Sequence, residues 1–309
     1  MTAPARVLRN VAEPLAASVF FAPEAHAEYE ALGFPHPVDE RNGVRMLDWG
    51  VYYATRAACM GAVAGEVATA VFGVFPARLV VGPVEDAWAR SSPEALLAAR
   101  ERGAVAALER MIGALASPGE LERAAAILRR GVEAADLAGK ALFAGLRSLG
   151  WPESRLGALW RACDLYREHR GDAHVAGWSA AGLTGPEACI LNDLRQGLGL
   201  KTYVRTRGWT DEELDRAVAR LAERGWVDER GVTEAGRRFR EELEEATDRQ
   251  QAPIIDAIGG DLDELVGLLR PWREAVVAAG GYPGRAFVES AAAPDTAAGV
   301  FLGQQRTSS

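Results

Sequence analysis

Residues 210–236 read TDEELDRAVARLAERGWVDERGVTEAG and contain the pattern of a capped helix followed by a minimal hairpin. Thr210 and Glu213 have the spacing of a capping box, in which each side chain hydrogen-bonds to the backbone N–H of the other residue at a helix start. Apolar side chains then recur at helical spacing until Gly225, a residue type that commonly ends helices. Residues 226–232 can form two very short strands around a turn. The segment therefore predicts a helix and a two-stranded wing.

The sequence on both sides completes the order of elements. Upstream, residues 184–187 (TGPE) place a threonine cap and an early proline before a helix that we expect to run to about Gln196. Downstream, Thr233 caps a further helix through about Thr247, and a final helical pair is expected over residues 250–280. Helix, helix, recognition-position helix, hairpin and helix is the order of a winged helix-turn-helix.

The first half of the chain reads as helices rich in alanine and leucine. Helix starts are indicated at Ser92, at the capping box 117–120 and at residues 151–154, each with a proline near the first turn. Residues 35–42 and 75–83 are the expected loops. We therefore predict an all-α fold, in which a helical N-terminal domain packs on a C-terminal winged helix-turn-helix with a minimal β-wing.

The length of 309 residues allows two domains with separate cores. We expect a helical domain over residues 1–180 and a winged-helix domain with C-terminal helices over residues 181–285. Residues 286–309 are expected to be a disordered tail.

Composition limits the class of protein. The net charge of −8 argues against a protein that attracts nucleic acid over its whole surface. Three scattered cysteines form no disulfide framework or zinc spacing, which suits the reducing cytoplasm. The most apolar segment, residues 49–75, is interrupted by Arg56 and Glu66, so we predict no membrane span and no membrane partner.

Residues 167–174 (REHRGDAH) concentrate charged and imidazole side chains in an otherwise apolar region and hold two of the four histidines. On one continuous helix this polar run divides into two faces, Tyr166, His169 and Asp172 on one and Arg170 and His174 on the other. His169 and His174 are five residues apart, about 140° around an ideal helix, so they do not converge on one ligand without distortion.

Two functional interpretations of the polar run compete. In an acid–base site, Asp172 orients His169, which transfers protons near neutral pH. In an anion site, Arg170, Arg167 and Arg56 hold a carboxylate or phosphate group of a small molecule.

Two further interpretations need no organic ligand. A metal site would use His169, Asp172 and His174, and it would need the helix to break at Gly171. No pair of histidines at i, i+4 supports it, so we predict no metal. The structural alternative is a polar lock between the domains, in which the arginines and histidines pair with Glu168 and Asp172.

A pocket at the domain junction is the expected ligand site. Its candidate residues are Arg56, Tyr53, Tyr166, Arg170, His174 and Trp178. The chain has no phosphate-binding loop, dinucleotide fingerprint or serine-hydrolase elbow, so we predict no cofactor.

DNA binding is disfavoured by the sequence of the recognition-position helix. Its first residues, 210–215, carry four carboxylates, which are poor neighbours for phosphates. A basic patch and stripe favour the alternative in which the helix tracks phosphates. The candidate DNA-binding residues are Lys201, Arg205, Arg207, Arg216 and Arg220.

The chain resembles an actinobacterial family of MarR-like or SalK-like helix-turn-helix proteins. The resemblance rests on the polar run and on residues 53–58 (YATRAA), 207–213 (RGWTDEE) and 233–236 (TEAG), and it extends from about residue 23 to residue 283. It departs from the family at Cys59, where proline is usual, and at residues 73–74 (GV), where Tyr-Asn is common. The resemblance implies a winged helix-turn-helix and a connection with secondary metabolism.

These observations lead to one main hypothesis and two alternatives. The main hypothesis is a cytoplasmic, homodimeric winged-helix protein that binds a small, anionic molecule at the domain junction and leans towards cofactor-independent acid–base catalysis by His169 and Asp172. The first alternative is a MarR-like regulator whose DNA binding responds to the ligand. The second is a structural or partner-binding protein.

Overall fold

The computed structural model describes residues 3–36, 39–41 and 44–284. Its first half is a set of packed helices, with one short antiparallel strand pair between the second and third helix. The elements are α1 (Pro4–Ala17), α2 (Pro23–Ala31), β1 (Asp39–Arg41), β2 (Val44–Met46), α3 (Trp49–Ala57), α4 (Gly65–Phe72), α5 (Ala77–Arg90), α6 (Pro93–Ile112), α7 (Pro118–Glu133) and α8 (Ala141–Ser148).

The second half begins with the long helix α9 and contains the winged helix-turn-helix. Its elements are α9 (Arg155–Ala180), α10 (Gly185–Arg195), a 3-10 turn (Tyr203–Arg207), α11 (Asp211–Glu223), β3 (Val227–Asp228), β4 (Gly231–Val232), α12 (Glu234–Gln250), α13 (Ala252–Ile258) and α14 (Leu262–Ala278). The strands β3 and β4 pair Val227 with Val232, which forms the minimal wing.

The all-α fold with a helix-turn-helix is confirmed, and so are the main helix starts. The Ser92 hydroxyl accepts from Ala95 N at 3.2 Å, and the capping boxes at Ser117 and Thr210 are both complete. Thr233 caps α12 through Gly236 N at 3.1 Å. These starts were predictable because capping depends on residues only three positions apart.

Two expected loops were wrong in part. Residues 77–83 belong to α5, which accommodates Pro83 in its interior, although proline normally interrupts a helix. Residues 39–41 form β1, whose charged sequence Asp-Glu-Arg has no strand pattern.

Two hydrophobic cores organise the molecule. The larger core contains side chains of α1–α9 together with those of α13 and α14. The smaller core contains side chains of α10, α11, α12 and β3, with Trp178 from the end of α9. The helix α9 therefore contributes to both cores.

The last two helices, α13 and α14, pack into the larger core, which we also call the first core. α14 packs against α1, α6 and α7, and α13 packs against α7. The division at residue 181, with these helices assigned to the winged-helix domain, stays a prediction from the sequence. The expected tail at residues 286–309 lies outside the described residues, and within the described ones no helix is both long and apolar enough to cross a membrane.

Candidate functional site

A cavity of about 750 Å³ lies where the two cores meet. Its walls come mainly from α1, α9, α10, α12 and α14 and from the 3-10 turn before α11. Because α9 contributes to both cores, its middle turns cross this junction and form one wall. The polar run of α9 therefore lies beside this cavity.

The cavity wall is rich in arginine. Within the described ranges, nine arginines and five carboxylates line the cavity. The arginines are Arg9, Arg56, Arg167, Arg170, Arg195, Arg207, Arg240, Arg270 and Arg273, and the carboxylates are Glu13, Glu168, Asp193, Glu244 and Glu274. A concave site with this excess of one sign attracts ligands of the opposite charge.

One face of the polar run borders the cavity. Arg167, Arg170, Gly171 and His174 lie at helical spacing along it. Arg170 donates to Glu244 Oε2 at 2.7 Å and to Asp248 Oδ1 at 2.8 Å on α12. The His174 ring contacts Thr247 Oγ1 through Nδ1 at 3.2 Å, and burial lowers the pKa of His174 to about 4, which keeps the ring neutral.

The opposite face of the run packs away from the cavity. Asp172 Oδ2 accepts from Phe143 N at 3.0 Å, near the start of α8, where unpaired backbone N–H groups favour an acceptor. His169 Nδ1 lies 2.8 Å from Gln251 Nε2, and its ring packs edge-on against Phe143. Burial lowers the pKa of His169 to about 4 and raises that of Asp172 to about 7.

These contacts differ from the expected acid–base pair. Asp172 is bonded to α8 and His169 to Gln251, rather than one orienting the other. Neither side chain is among those that line the cavity, and His169 is only 1% exposed. Catalytic roles for the two residues stay predictions from the sequence.

Arg56 reaches the cavity already paired. Its guanidinium donates to Glu168 Oε2 at 2.7 Å and to the Tyr52 hydroxyl at 3.0 Å. Burial raises the pKa of the Glu168 carboxyl, but the guanidinium groups of Arg56 and Arg167 outweigh it and lower that pKa overall. The charge of Arg56 is thus largely compensated within the protein.

The three aromatic candidates occupy different positions. Tyr166 borders the cavity and donates its hydroxyl to Ala5 O at 2.6 Å. Trp178 also borders the cavity, and its buried Nε1 has no hydrogen-bond partner among the described residues. Tyr53 is fully buried in the first core and is not part of the cavity wall.

Arg207 is the cavity arginine that differs most from the others. Its guanidinium lies over the rings of Phe75 and Tyr203, with Cζ at 5.2 and 5.5 Å from the ring centroids. It forms no hydrogen bond or ion pair with any residue that the structure describes. Asp193 interacts with it electrostatically but is bonded to Val204 N at 2.7 Å, and burial raises the pKa of Asp193 to about 7. Arg207 therefore presents an uncompensated cation at this junction.

A smaller recess of about 150 Å³ adjoins the cavity. Its wall includes the side chains of Phe20, Phe21, Trp49, Tyr52, Tyr203 and Tyr282. The recess and the cavity meet at Arg207, which borders both spaces. The other residues that border both are Glu13, Arg167, Tyr203 and Tyr282.

Three of the other four candidate DNA-binding residues form ion pairs. Lys201 pairs with Asp215 at 2.5 Å, Arg205 with Asp211 at 2.8 Å and Arg220 with Glu187 at 2.9 Å. The fourth candidate, Arg216, is exposed on α11.

The start of α11 is attached to the N-terminal helices. Arg78 on α5 donates to Glu213 Oε1 at 3.0 Å and to the carbonyl of Gly208 at 2.5 Å. Trp209 Nε1 donates to Val74 O at 3.1 Å. Nearby, the backbones of the two halves approach so closely that a side-chain carbon on Gly185 would lie 2.3 Å from Gly73 O. The motif RGWTDEE thus joins the recognition-position helix to the first half of the molecule.

Several cavity residues were missed in the sequence. They are Arg9, Arg195, Arg240, Arg270, Arg273, Tyr203 and Tyr282. The spacing of Arg270 and Arg273, one turn apart on a helix, was the available signal, but nothing in the sequence places α14 against this junction. Of the positions that depart from the resembling family, Val74 borders the cavity. Within the described residues no group of His, Cys, Asp and Glu could hold a metal ion.

The comparison with known proteins agrees with the order of elements in the second half of the chain. The sequence matches a protein family described as a helix-turn-helix family over residues 5–283. No curated protein and no solved structure matches the chain. Because the family match spans nearly the whole chain, the protein belongs to the helix-turn-helix family.

Proposed function

We propose that this helix-turn-helix protein binds a small anionic molecule in the junction cavity. The observation that carries the proposal is the Arg207 guanidinium, which borders the cavity without a carboxylate or hydrogen-bond partner among the described residues. Arg207 is half-buried, and removing a cation from water is costly unless an anion compensates it. A ligand carboxylate or phosphate next to Arg207 would supply that compensation.

The rest of the cavity supports the same ligand charge. Arg56 and Arg170 are neutralised by Glu168 and Glu244, so they mainly hold the walls together. Arg270 and Arg273 border the same space and form no ion pair with a described residue. The uncompensated charge of the site is therefore positive.

Ligand binding has more support than acid–base catalysis in this proposal. His169 and Asp172 face α8 and the start of α13, and the cavity is bordered by the opposite face of the same helix. A bound molecule would contact Arg207 and His174 instead. Cytoplasmic location, a role in secondary metabolism and homodimerisation stay predictions from the sequence.

The proposal is tested with pyrophosphate as a compact anionic probe. We expect pyrophosphate to raise the thermal midpoint of the wild-type protein in proportion to the logarithm of its concentration above Kd. Arg207→Gln should weaken binding by about ten-fold or more, because one charge-assisted contact contributes about 1.5–3 kcal/mol. Arg216→Gln is the matched control, since this arginine is exposed on α11 and lies outside the cavity.

Two results would contradict the proposal. One is the absence of any midpoint shift in the wild-type protein over the concentrations at which the probe stays soluble. The other is an equal loss of binding in the Arg207 and Arg216 variants, which would indicate general attraction to the surface.

A second candidate function is a MarR-like regulator whose DNA binding depends on the ligand. Membership of the helix-turn-helix family favours it, and so does the cavity wall, because α10 and the 3-10 turn belong to the helix-turn-helix itself. The surface of α11 argues against tight DNA binding. Its exposed residues are Asp211, Glu212, Asp215, Arg216, Ala219, Ala222 and Glu223.

Duplex DNA separates the two candidate functions. We expect weak, sequence-independent binding at physiological salt, because the exposed face of α11 would meet phosphates with more carboxylates than arginines. Binding is measured by fluorescence anisotropy over a salt series with and without pyrophosphate. A specific complex that weakens steeply with salt and responds to the probe would establish the regulator instead.

A further inference from the structure

We infer that the natural ligand has two parts. An aromatic ring binds in the recess, and a group with more than one negative charge, attached to this ring, binds beside Arg207. This inference rests on the proposed function and narrows the chemical class of the ligand to that of an aryl phosphate or an aryl polycarboxylate. Four observations lead to it.

The recess is lined by aromatic rings that already pack edge to face. Phe20 and Tyr52 are 5.0 Å apart between ring centroids at 60°, and Phe21 and Tyr282 are 6.1 Å apart at 85°. Such a wall presents both ring edges and ring faces to any further ring that enters. The aromatic part of this wall therefore favours an aromatic group, and a charged substituent on that group would meet Arg167 and Arg207 in the same wall.

The size of the recess fits one ring. Its volume is about 150 Å³. Engineered apolar cavities of roughly 150 Å³ in another protein stay dry and bind benzene. A single six-membered ring thus fills this space, and larger parts of a ligand would extend into the cavity.

The recess leads directly to the uncompensated cation. Arg207 and Tyr203 border both the recess and the large cavity, and the Arg207 guanidinium lies over the Tyr203 ring. A substituent on a ring in the recess would consequently emerge beside this guanidinium. Arg167 borders both spaces too, although it is paired with Glu13 at 3.0 Å and with Glu168.

The charge at this junction calls for more than one negative charge on the ligand. Beyond Arg207, half-buried Arg273 and exposed Arg270 border the cavity without ion pairs to described residues, against one equally unpaired carboxylate, Glu274. Asp193 is the carboxylate that interacts with Arg207, and it is bonded to Val204 N instead of pairing with the guanidinium. A singly charged group would leave most of this positive charge uncompensated.

Three probes separate the parts of the inference, with Kd measured by calorimetry at one pH and salt concentration. Phenyl phosphate combines a ring with two charges, inorganic phosphate has the charges alone, and benzoate has the ring with one charge. We expect phenyl phosphate to bind about ten-fold or more tightly than inorganic phosphate, since burying a ring contributes about 1.5–3 kcal/mol. It should exceed benzoate by a similar factor, since its second charge adds a charge-assisted contact that contributes about 1.5–3 kcal/mol.

Variants assign the ring to the recess. Ala17→Leu fills the recess from the end of α1 and should reduce phenyl phosphate affinity to that of inorganic phosphate, whose own affinity stays unchanged. Phe21→Leu is a milder change in the same wall and replaces the first variant if that variant fails to fold. It should lower the affinity for phenyl phosphate several-fold and leave the affinity for inorganic phosphate unchanged. Arg207→Gln should weaken all three probes, and Arg216→Gln none.

The outcomes distinguish this inference from the proposed function. Equal affinities for phenyl phosphate and inorganic phosphate would contradict the inference that the ligand carries an aromatic ring. Equal affinities for benzoate and phenyl phosphate would contradict the inference that it carries more than one negative charge. In both cases anion binding that depends on Arg207 would leave the proposed function standing. Loss of all binding, pyrophosphate included, would overturn both.

Discussion

Asp172 on α9 stabilises the fold through a hydrogen bond to the start of α8. Its carboxyl group accepts the Phe143 N–H at 3.0 Å and is only 5% exposed. Burial raises its pKa to about 7 from an ordinary value of 3.8. The folded protein therefore retains a proton on Asp172 that the unfolded chain loses at a lower pH.

This pKa shift has a defined sign for stability. Between about pH 4 and pH 7 the folded state binds more protons at Asp172, so the stability from this group falls as pH rises through that range. Asp172→Asn removes the dependence. We expect the free energy of unfolding of the variant, relative to the wild type, to increase by roughly 1–4 kcal/mol from about pH 4.5 to pH 8. Urea denaturation at a series of pH values measures it.

The histidines of α9 do not disturb this comparison. Burial lowers the pKa of both His169 and His174 to about 4, so their contribution to stability rises with pH between about 4 and 6.5. Both are present in wild type and variant, so their effect cancels in the difference. A difference that stays constant with pH would show that Asp172 ionises normally in the folded protein.

At the scale of elements, the 3-10 turn is the part of the helix-turn-helix that a ligand would contact. Its Val204 N–H is bonded to Asp193 on α10, and its Arg207 borders the cavity. Three residues later, Thr210 caps α11. A ligand held by Arg207 would therefore stiffen the segment that positions α11.

Hydrogen exchange tests this effect on the turn. With saturating pyrophosphate we expect slower exchange of the amides of residues 203–208 and of the cavity side of α10, because occupancy restrains their local opening. The hairpin β3–β4, which does not border the cavity, is the internal control. Arg207→Gln should abolish the protection. Protection spread equally over the hairpin would indicate a global stabilisation without a local contact.

The success of sequence prediction differed among the elements. The starts of α6, α7, α11 and α12 were predictable because each depends on a cap and a residue three positions away. The interior of α5 was not, since tolerance of Pro83 depends on packing around it. The division of the polar run into two faces followed from helical geometry, and the structure places Arg170 and His174 opposite His169 and Asp172. Tyr166 was expected on the face of His169 and Asp172, but it borders the cavity with Arg170 and His174.

At the scale of the whole molecule, the cavity could not be predicted. It is assembled from α1, α9, α10, α12 and α14, which are far apart in the sequence. From the sequence, Arg207 belonged with Lys201 and Arg205 to a basic patch before the recognition-position helix and was a candidate phosphate contact. Only the packing of the two cores shows that its side chain points to their junction.

The ion pairs between α9 and α12 should couple the two cores in unfolding. Arg170 pairs with Glu244 and Asp248, and its side chain is 8% exposed. We expect Arg170→Met to lower the free energy of unfolding by about 1.5–3 kcal/mol, because it removes two charge-assisted hydrogen bonds. Glu244 keeps its pair with Arg240 and Asp248 keeps its pair with Arg6, so neither carboxylate is left without a partner. Scanning calorimetry should still show one transition. Arg237→Met, which removes an exposed pair with Glu234, is the control and should leave the midpoint almost unchanged.

Two separate calorimetric transitions in the wild-type protein would contradict this coupling. They would show that the smaller core unfolds independently of the larger one, despite the helix that both share.

The path of the chain through the two cores has a consequence for protein engineering. The polypeptide leaves the first core along α9, builds the winged helix, and returns to the first core through α13 and α14. The winged helix is therefore an insert anchored at both ends rather than a terminal module. Grafting this unit onto another protein, or replacing it with a different binding domain, would have to preserve two junctions, the one at α9 and the one before α13.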